Sequence, residues 1–276
     1  MKFAFAVFLL VWSLGGLADS RVPDATALAA RLLAAEAAKE PYPELAREFP
    51  ELSDEDLLAV QRAYLKARLA GGQHVGGYKG GFIPVAPVGG VLYAEGLLQA
   101  PADIPRNTFL SPLVEAEIAF EFCKPVAERL ADVTALKAVI CRLRPAIELP
   151  DGALADLEAM KQDLPRLRRA LIPHNISTRK VLLGAPVAAD TVDVNQLPVT
   201  TRYGGKIIGE RVLTGARPDL WASVLWVVNE YALAEGHRIE AGQVIIPGNL
   251  TGLHPGASGV YEVDYGPLGL VRFTLE

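Results

Sequence analysis

The run SPLVEAEIAFEF, residues 111–122, decides how the rest of this chain is read. Val114, Ala116, Ile118, Phe120 and Phe122 fall on one face of an extended strand, and Glu115, Glu117 and Glu121 fall on the other. Residues two apart on a strand project the same way, so Glu115 and Glu117 can converge on one point. Two carboxylates held together repel, and a divalent cation removes that cost. Oxygen-only ligation of this kind suits Mg²⁺, Mn²⁺ or Ca²⁺ better than zinc. A strand with a half-solvated acidic face would show the same alternation. A third acid separates the two readings. Glu148, in RPAIELP (residues 144–150), sits among Ala146, Ile147 and Leu149, where a carboxylate is rarely buried without a partner or a metal.

Around this acidic centre the chain punctuates itself clearly. An alanine-rich stretch over residues 26–39 has leucines at helical spacing and stops before Pro41 and Pro43. Ser53 opens a second helix as N-cap, with Asp54, Glu55 and Asp56 in its first turn, and Gly71 and Gly72 end it. Residues 75–83 read as a glycine-rich strand and residues 84–90 as a loop. Helices are expected over residues 133–142, 156–170 (interrupted by Pro165) and 220–234. Short strands are expected over 181–183, 197–202, 206–208, 244–246, 259–264 and 270–275. Short strands with segregated helices make an α+β chain.

Composition narrows the function classes. With 276 residues, 51% of them hydrophobic, the chain can bury a sizeable core as one domain with an N-terminal helical extension. A formal charge of −5 argues against a nucleic-acid partner, and Arg166, Arg168 and Arg169 read as a solvated helix face. Met1 and Lys2 precede an apolar run over residues 3–14, then Gly15, Gly16, Leu17 and Ala18. This is the pattern of a secretory signal cut near Ala18, too short for a comfortable membrane span. The expected product is an exported, periplasmic protein with no stable membrane insertion; an uncleaved anchor is the alternative. The expected divisions are residues 1–18 (signal), 19–72 (helical) and 73–276 (catalytic). Cys123 and Cys141 would be able to pair in an oxidising compartment, or would serve as small hydrophobes, Cys123 ending a strand and Cys141 in a buried helix. Neither GGYKGG nor GGKIIGE has the context of a nucleotide-binding loop.

Six segments, in order, resemble the hydratase and decarboxylase branch of the fumarylacetoacetate hydrolase superfamily, the group of 2-keto-4-pentenoate hydratase and 4-oxalocrotonate decarboxylase. They are residues 59–83 (AVQRAYLKARLAGGQHVGGYKGGFI), 89–96 (GGVLYAEG), 113–122 (LVEAEIAFEF), 145–152 (PAIELPDG), 215–252 and 261–276 (YEVDYGPLGLVRFTLE). The resemblance implies a β-roll, a mixed sheet with helices packed outside, in a homo-oligomer. It implies a Mg²⁺ or Mn²⁺ site, with Ca²⁺ possible, on Glu115, Glu117 and Glu148, and a small 2-oxo acid as substrate. Lys79, flanked by glycines that leave it unobstructed, would trade protons with Glu95 and Ser177 as further catalytic residues. Gly248, Thr251 and Asn175 would bind substrate. The implied reaction is hydration of a 2-hydroxydienoic acid, or decarboxylation through the same enolate; a non-catalytic metal-binding homologue is the rival from another class. The chain departs from the family pattern at Glu95 and His174, each where an aspartate is usual, and at Pro247 and Asn249. His174 is read as either structural or catalytic.

Overall fold

The computed structural model describes residues 24–214 and 219–276, so the expected signal segment, residues 1–18, lies outside the described residues. The helix Ala25–Ala38 is capped by Asp24, whose carboxylate accepts from the Ala27 N–H at 2.8 Å. The helix Asp54–Ala70 begins with a reciprocal box. The Ser53 N–H donates to Asp56 Oδ2 at 2.7 Å, and the Asp56 N–H donates to Ser53 Oγ at 3.1 Å, a device worth about 1 kcal/mol. These two helices pack on each other. Their apolar faces share a core with Leu154, Met160, Ala170, Ile172 and Ile176, far along the chain. Glu36 fastens the join, accepting from Tyr64 Oη at 2.6 Å and pairing with Arg68 at 2.6 Å and with Arg179.

Two sheets carry the remainder. The larger runs in the order Ala86–Tyr93, Val75–Ile83, Val244–Ile246, Leu113–Phe122, Ile140–Leu149, Lys180–Leu183, Leu97–Gln99. It is mixed: Val75–Ile83 is parallel to Val244–Ile246, which is antiparallel to Leu113–Phe122. The smaller sheet runs Lys206–Val212, Pro198–Tyr203, Gly259–Asp264, Leu270–Leu275, Ala102–Ile104. The main core includes Ile118, Phe120, Ile147, Val224, Val228, Val263 and Phe273, all fully buried or nearly so. Among the described residues no helix is long and apolar enough to cross a membrane. The architecture is α+β, with the two sheets sharing one core and the helices packed outside.

Local expectations fail at three places. Residues 84–90 are not a loop, since Ala86–Tyr93 is the edge strand paired with Val75–Ile83. Its glycines look like breakers, yet a Cβ at Gly89 would come within 2.1 Å of the Tyr231 ring, so a close approach explains that glycine. The helix over 133–142 stops at Lys137, and Cys141 lies half-buried on the strand Ile140–Leu149; both cysteines are free. The helix over 220–234 is α-helical for Leu220–Trp226 and then widens to a π turn over Val227–Ala232.

Candidate metal and active site

Antiparallel register does what alternation suggested. Glu115 stands opposite Glu148, and Glu117 follows on the same face. One carboxylate oxygen from each of the three lies within 4.8 Å of the others. Glu117 and Glu148 are 1% and 0% exposed, which rules out a solvated acidic face. Lys79, 3% exposed, reaches the same point from two strands away; its Nζ donates to Glu148 Oε1 and to the Ile176 carbonyl at 3.2 Å.

Three carboxylates against one ammonium leave two negative charges in excess. Burial drives the Glu117 carboxyl well above the usual range, and repulsion from Glu148 and Glu115 adds to it. Burial also raises Glu148, against the pull of Lys79. Glu148 Oε2 has no hydrogen-bond partner among the described residues. A buried oxygen without a donor, in an all-oxygen set short of two positive charges, fits a hard divalent cation.

The loop after Val244–Ile246 supports the acids. The Gly248 N–H donates to Glu117 Oε2 at 2.9 Å, and Asn249 Nδ2 donates to Glu115 Oε1 at 3.0 Å. Asn249 Oδ1 in turn accepts from the Thr251 and Gly252 N–H groups at 3.0 and 2.7 Å. Asn249, noted from sequence only as a departure, therefore fixes the position of the Glu115 carboxylate. Tyr265 had no sequence signal beyond being aromatic. Its hydroxyl donates to the Ala146 carbonyl and accepts from the Glu117 N–H at 3.2 Å, bridging two residues paired across the acidic strands.

Behind Lys79 lies an unusual piece of backbone. Asn175, Ile176 and Ser177 have φ values of 59°, 49° and 57°, left-handed for three consecutive residues without a glycine. Such conformations cost on the order of 1–3 kcal/mol each, most for a β-branched residue such as Ile176. Asn175 offsets this by pairing with Val91 as a neighbouring strand would. Its Oδ1 accepts from the Val91 N–H at 2.6 Å, and its Nδ2 donates to the Val91 carbonyl at 2.9 Å. The turn presents the Ile176 carbonyl to Lys79 and places Ser177 on the wall of a cavity of about 380 Å³.

That cavity gathers Lys79, Glu115, Glu117, Glu148, Ser177 and Gly248. It does not gather every residue expected. Glu95 stands apart from it: the turn Ala94–Gly96 leaves it exposed and off the cavity wall, bonded to His74 Nδ1 at 2.7 Å. Asn175 lies behind the wall, where it holds the turn. Thr251 is also off the wall, its Oγ1 2.8 Å from Thr201 Oγ1.

His174 is buried and stacked on Tyr42, with centroids 4.5 Å apart, and it too is off the cavity wall. Its Nδ1 accepts from the Ser177 N–H at 3.3 Å, and burial depresses it to about 4. The imidazole is thus neutral in the fold and charged in the unfolded chain below about pH 6.5. The unfolded state binds the extra proton, so stability is full above about pH 6.5 and is lost as pH falls toward 4, by about 3 kcal/mol in all. Replacing His174 by Gln should flatten this segment of the stability–pH curve. Parallel denaturation profiles for parent and H174Q between pH 7 and 4 would show that His174 does not titrate on unfolding.

Comparison with known proteins follows the same lines. No family model matches the chain. It is 28% identical over 257 residues to 2-oxo-hept-4-ene-1,7-dioate hydratase of Escherichia coli, covering 89% of this chain and 96% of that protein. Its fold matches 4-oxalocrotonate decarboxylase from Pseudomonas putida G7, complexed with magnesium and adipate, at a TM-score of 0.81 and 21% identity, over 91% of this chain and 97% of the other. The calcium and acetate complex of that decarboxylase matches at 0.81 and 22% identity, over 92% and 97%. The fold of this chain is therefore the one shared by these two decarboxylase structures.

Proposed function

We propose that this chain is a divalent-metal-dependent hydratase acting on a 2-oxo or 2-hydroxydienoic acid. The observation that carries the reading is the convergence of Glu115, Glu117 and Glu148 with the Lys79 ammonium on the wall of a cavity whose remaining lining is mostly apolar. Glu115, Glu117 and Glu148 would hold Mg²⁺ or Mn²⁺, and Ca²⁺ also meets the ligand chemistry. The cation, when bound, supplies Lewis-acid stabilisation of charge developing on the substrate's 2-oxo oxygen.

The chain's own groups do the rest. Lys79 Nζ holds a proton beside the carboxylates, anchored by Glu148 and the Ile176 carbonyl, and can give it to or take it from a substrate carbon entering the cavity. Ser177 places a hydroxyl on the same wall, within reach of water or of a substrate oxygen. The Gly248 N–H and Asn249 amide fix the carboxylates in position before substrate arrives. Apolar walls exclude bulk water and strengthen each of these interactions.

A decarboxylase needs the same head-group machinery, and product analysis separates the two. Purified protein with Mg²⁺ or Mn²⁺ should bleach the ultraviolet absorbance of a 2-hydroxydienoate and yield a 4-hydroxy-2-oxo acid. Release of carbon dioxide from a 2-oxo-enedioic acid would replace hydration by the decarboxylase reading. A folded, metal-loaded protein that turns over no 2-oxo acid would establish the non-catalytic alternative.

A further inference from the structure

We propose that the site takes a 2-oxo monocarboxylic acid whose far end is a hydrocarbon tail, not a second carboxylate; this rests on the 2-oxo acid reading above. The cavity is lined by two kinds of group. Besides the carboxylates and Lys79, its wall carries Val88, Leu113, Leu154, Leu157, Leu167 and Leu171. Val88, Leu113 and Leu154 are buried, and with Leu157, Leu167 and Leu171 they come from four separate stretches of chain. The lining is therefore assembled by the fold rather than being one exposed hydrophobic stripe.

A dicarboxylate would have to place its distal anion among these leucines. Stripping a carboxylate of water without a fixed partner is costly. Among the described residues two cations touch the wall besides Lys79, and both are at least partly solvated. Lys161 Nζ pairs at 2.5 Å with Oε1 of the exposed Glu158, and Arg211 lies exposed on the strand Lys206–Val212. A hydrocarbon tail, by contrast, gains from every methylene it buries. The Escherichia coli relative is named for a dioate. At 28% identity the head-group residues and the tail-facing residues need not have kept the same specificity.

The test is calorimetric titration of the Mg²⁺-loaded full chain with saturated 2-oxo acids, which bind without turning over. 2-Oxobutanoate, 2-oxohexanoate and 2-oxooctanoate should tighten about fourfold per methylene until the cavity is full. 2-Oxoadipate should bind at least tenfold more weakly than 2-oxohexanoate, which has the same chain length. Leu157→Arg adds a cation to the half-buried wall; it should remove the gain per methylene and favour the dicarboxylate, with an unchanged melting temperature as the control for folding. Arg211→Gln should leave the order of affinities as in the parent.

A flat series, or 2-oxoadipate bound more tightly than 2-oxohexanoate, would overturn the inference. Loss of 2-oxoadipate binding in R211Q would then assign the distal carboxylate to Arg211. If 2-oxobutanoate itself fails to bind with Mg²⁺ present, the 2-oxo acid reading falls, and the tail inference falls with it.

Discussion

Lys79→Met is expected to lower kcat by on the order of a hundredfold or more while leaving cation affinity unchanged or tighter. Methionine fills similar space but carries no exchangeable proton, so the loss falls on the step in which a proton moves. The structure fixes the sign of the second effect. Removing the ammonium beside Glu148 leaves three carboxylates with no counter-charge, which raises the local demand for a cation. Breaking a buried pair also costs stability, typically about 3–5 kcal/mol, so the metal-free variant should melt lower than the parent and regain the difference when Mn²⁺ is added. Turnover on a 2-hydroxydienoate, Mn²⁺ titration and melting with and without chelator together check the assignment. Parental kcat in the folded, metal-loaded variant would refute Lys79 as the proton carrier.

Glu117→Gln is expected to act with the opposite signs. The amide keeps the size of the side chain and an oxygen to accept from the Gly248 N–H, but it removes one negative charge from the ligand set. Mn²⁺ affinity should fall at least tenfold, since hard-cation affinity follows ligand charge. In chelator, the same variant should melt higher than the parent, because a buried carboxyl strained by Glu148 and Glu115 has been replaced by a neutral group. Equal Mn²⁺ affinity in parent and E117Q would remove Glu117 from the metal site. A lower melting temperature in chelator would mean that Glu117 stabilises the fold in some other way.

The acidic centre was legible because a strand has a period of two and because Glu148 sits in an apolar run; both facts are local. Lys79 was placed at the site by the resemblance, since its glycines alone fit an exposed loop equally well. What escaped was whatever depends on close approach between distant pieces of chain. Residues 84–90 looked like a loop because Gly89 and Gly90 are read as breakers, whereas Tyr231 requires the absence of a side chain at Gly89. Glu95 was placed in the site by resemblance alone, and a short turn directs it to His74 instead. Asn175 was expected at the substrate, yet its amide is occupied by the backbone of Val91. The tail-facing leucines carried no signal, since Leu113 and Leu171 share a wall only after folding.

The left-handed turn at Asn175–Ser177 ties two histories of assembly together. Its Ile176 side chain belongs to the core shared with the N-terminal helices, while its carbonyl holds the amine of Lys79. The three carboxylates are set by pairing within one sheet and need only their own strands to meet. The lysine's second anchor exists only where the helical layer has closed over that sheet. On the proposed function, proton handling by Lys79 would depend on the docked layers, whereas cation holding would belong to a single sheet and its supporting loop. The sheet alone would bring the acids and Lys79 together, and the seated helical layer would add the second hold on the amine.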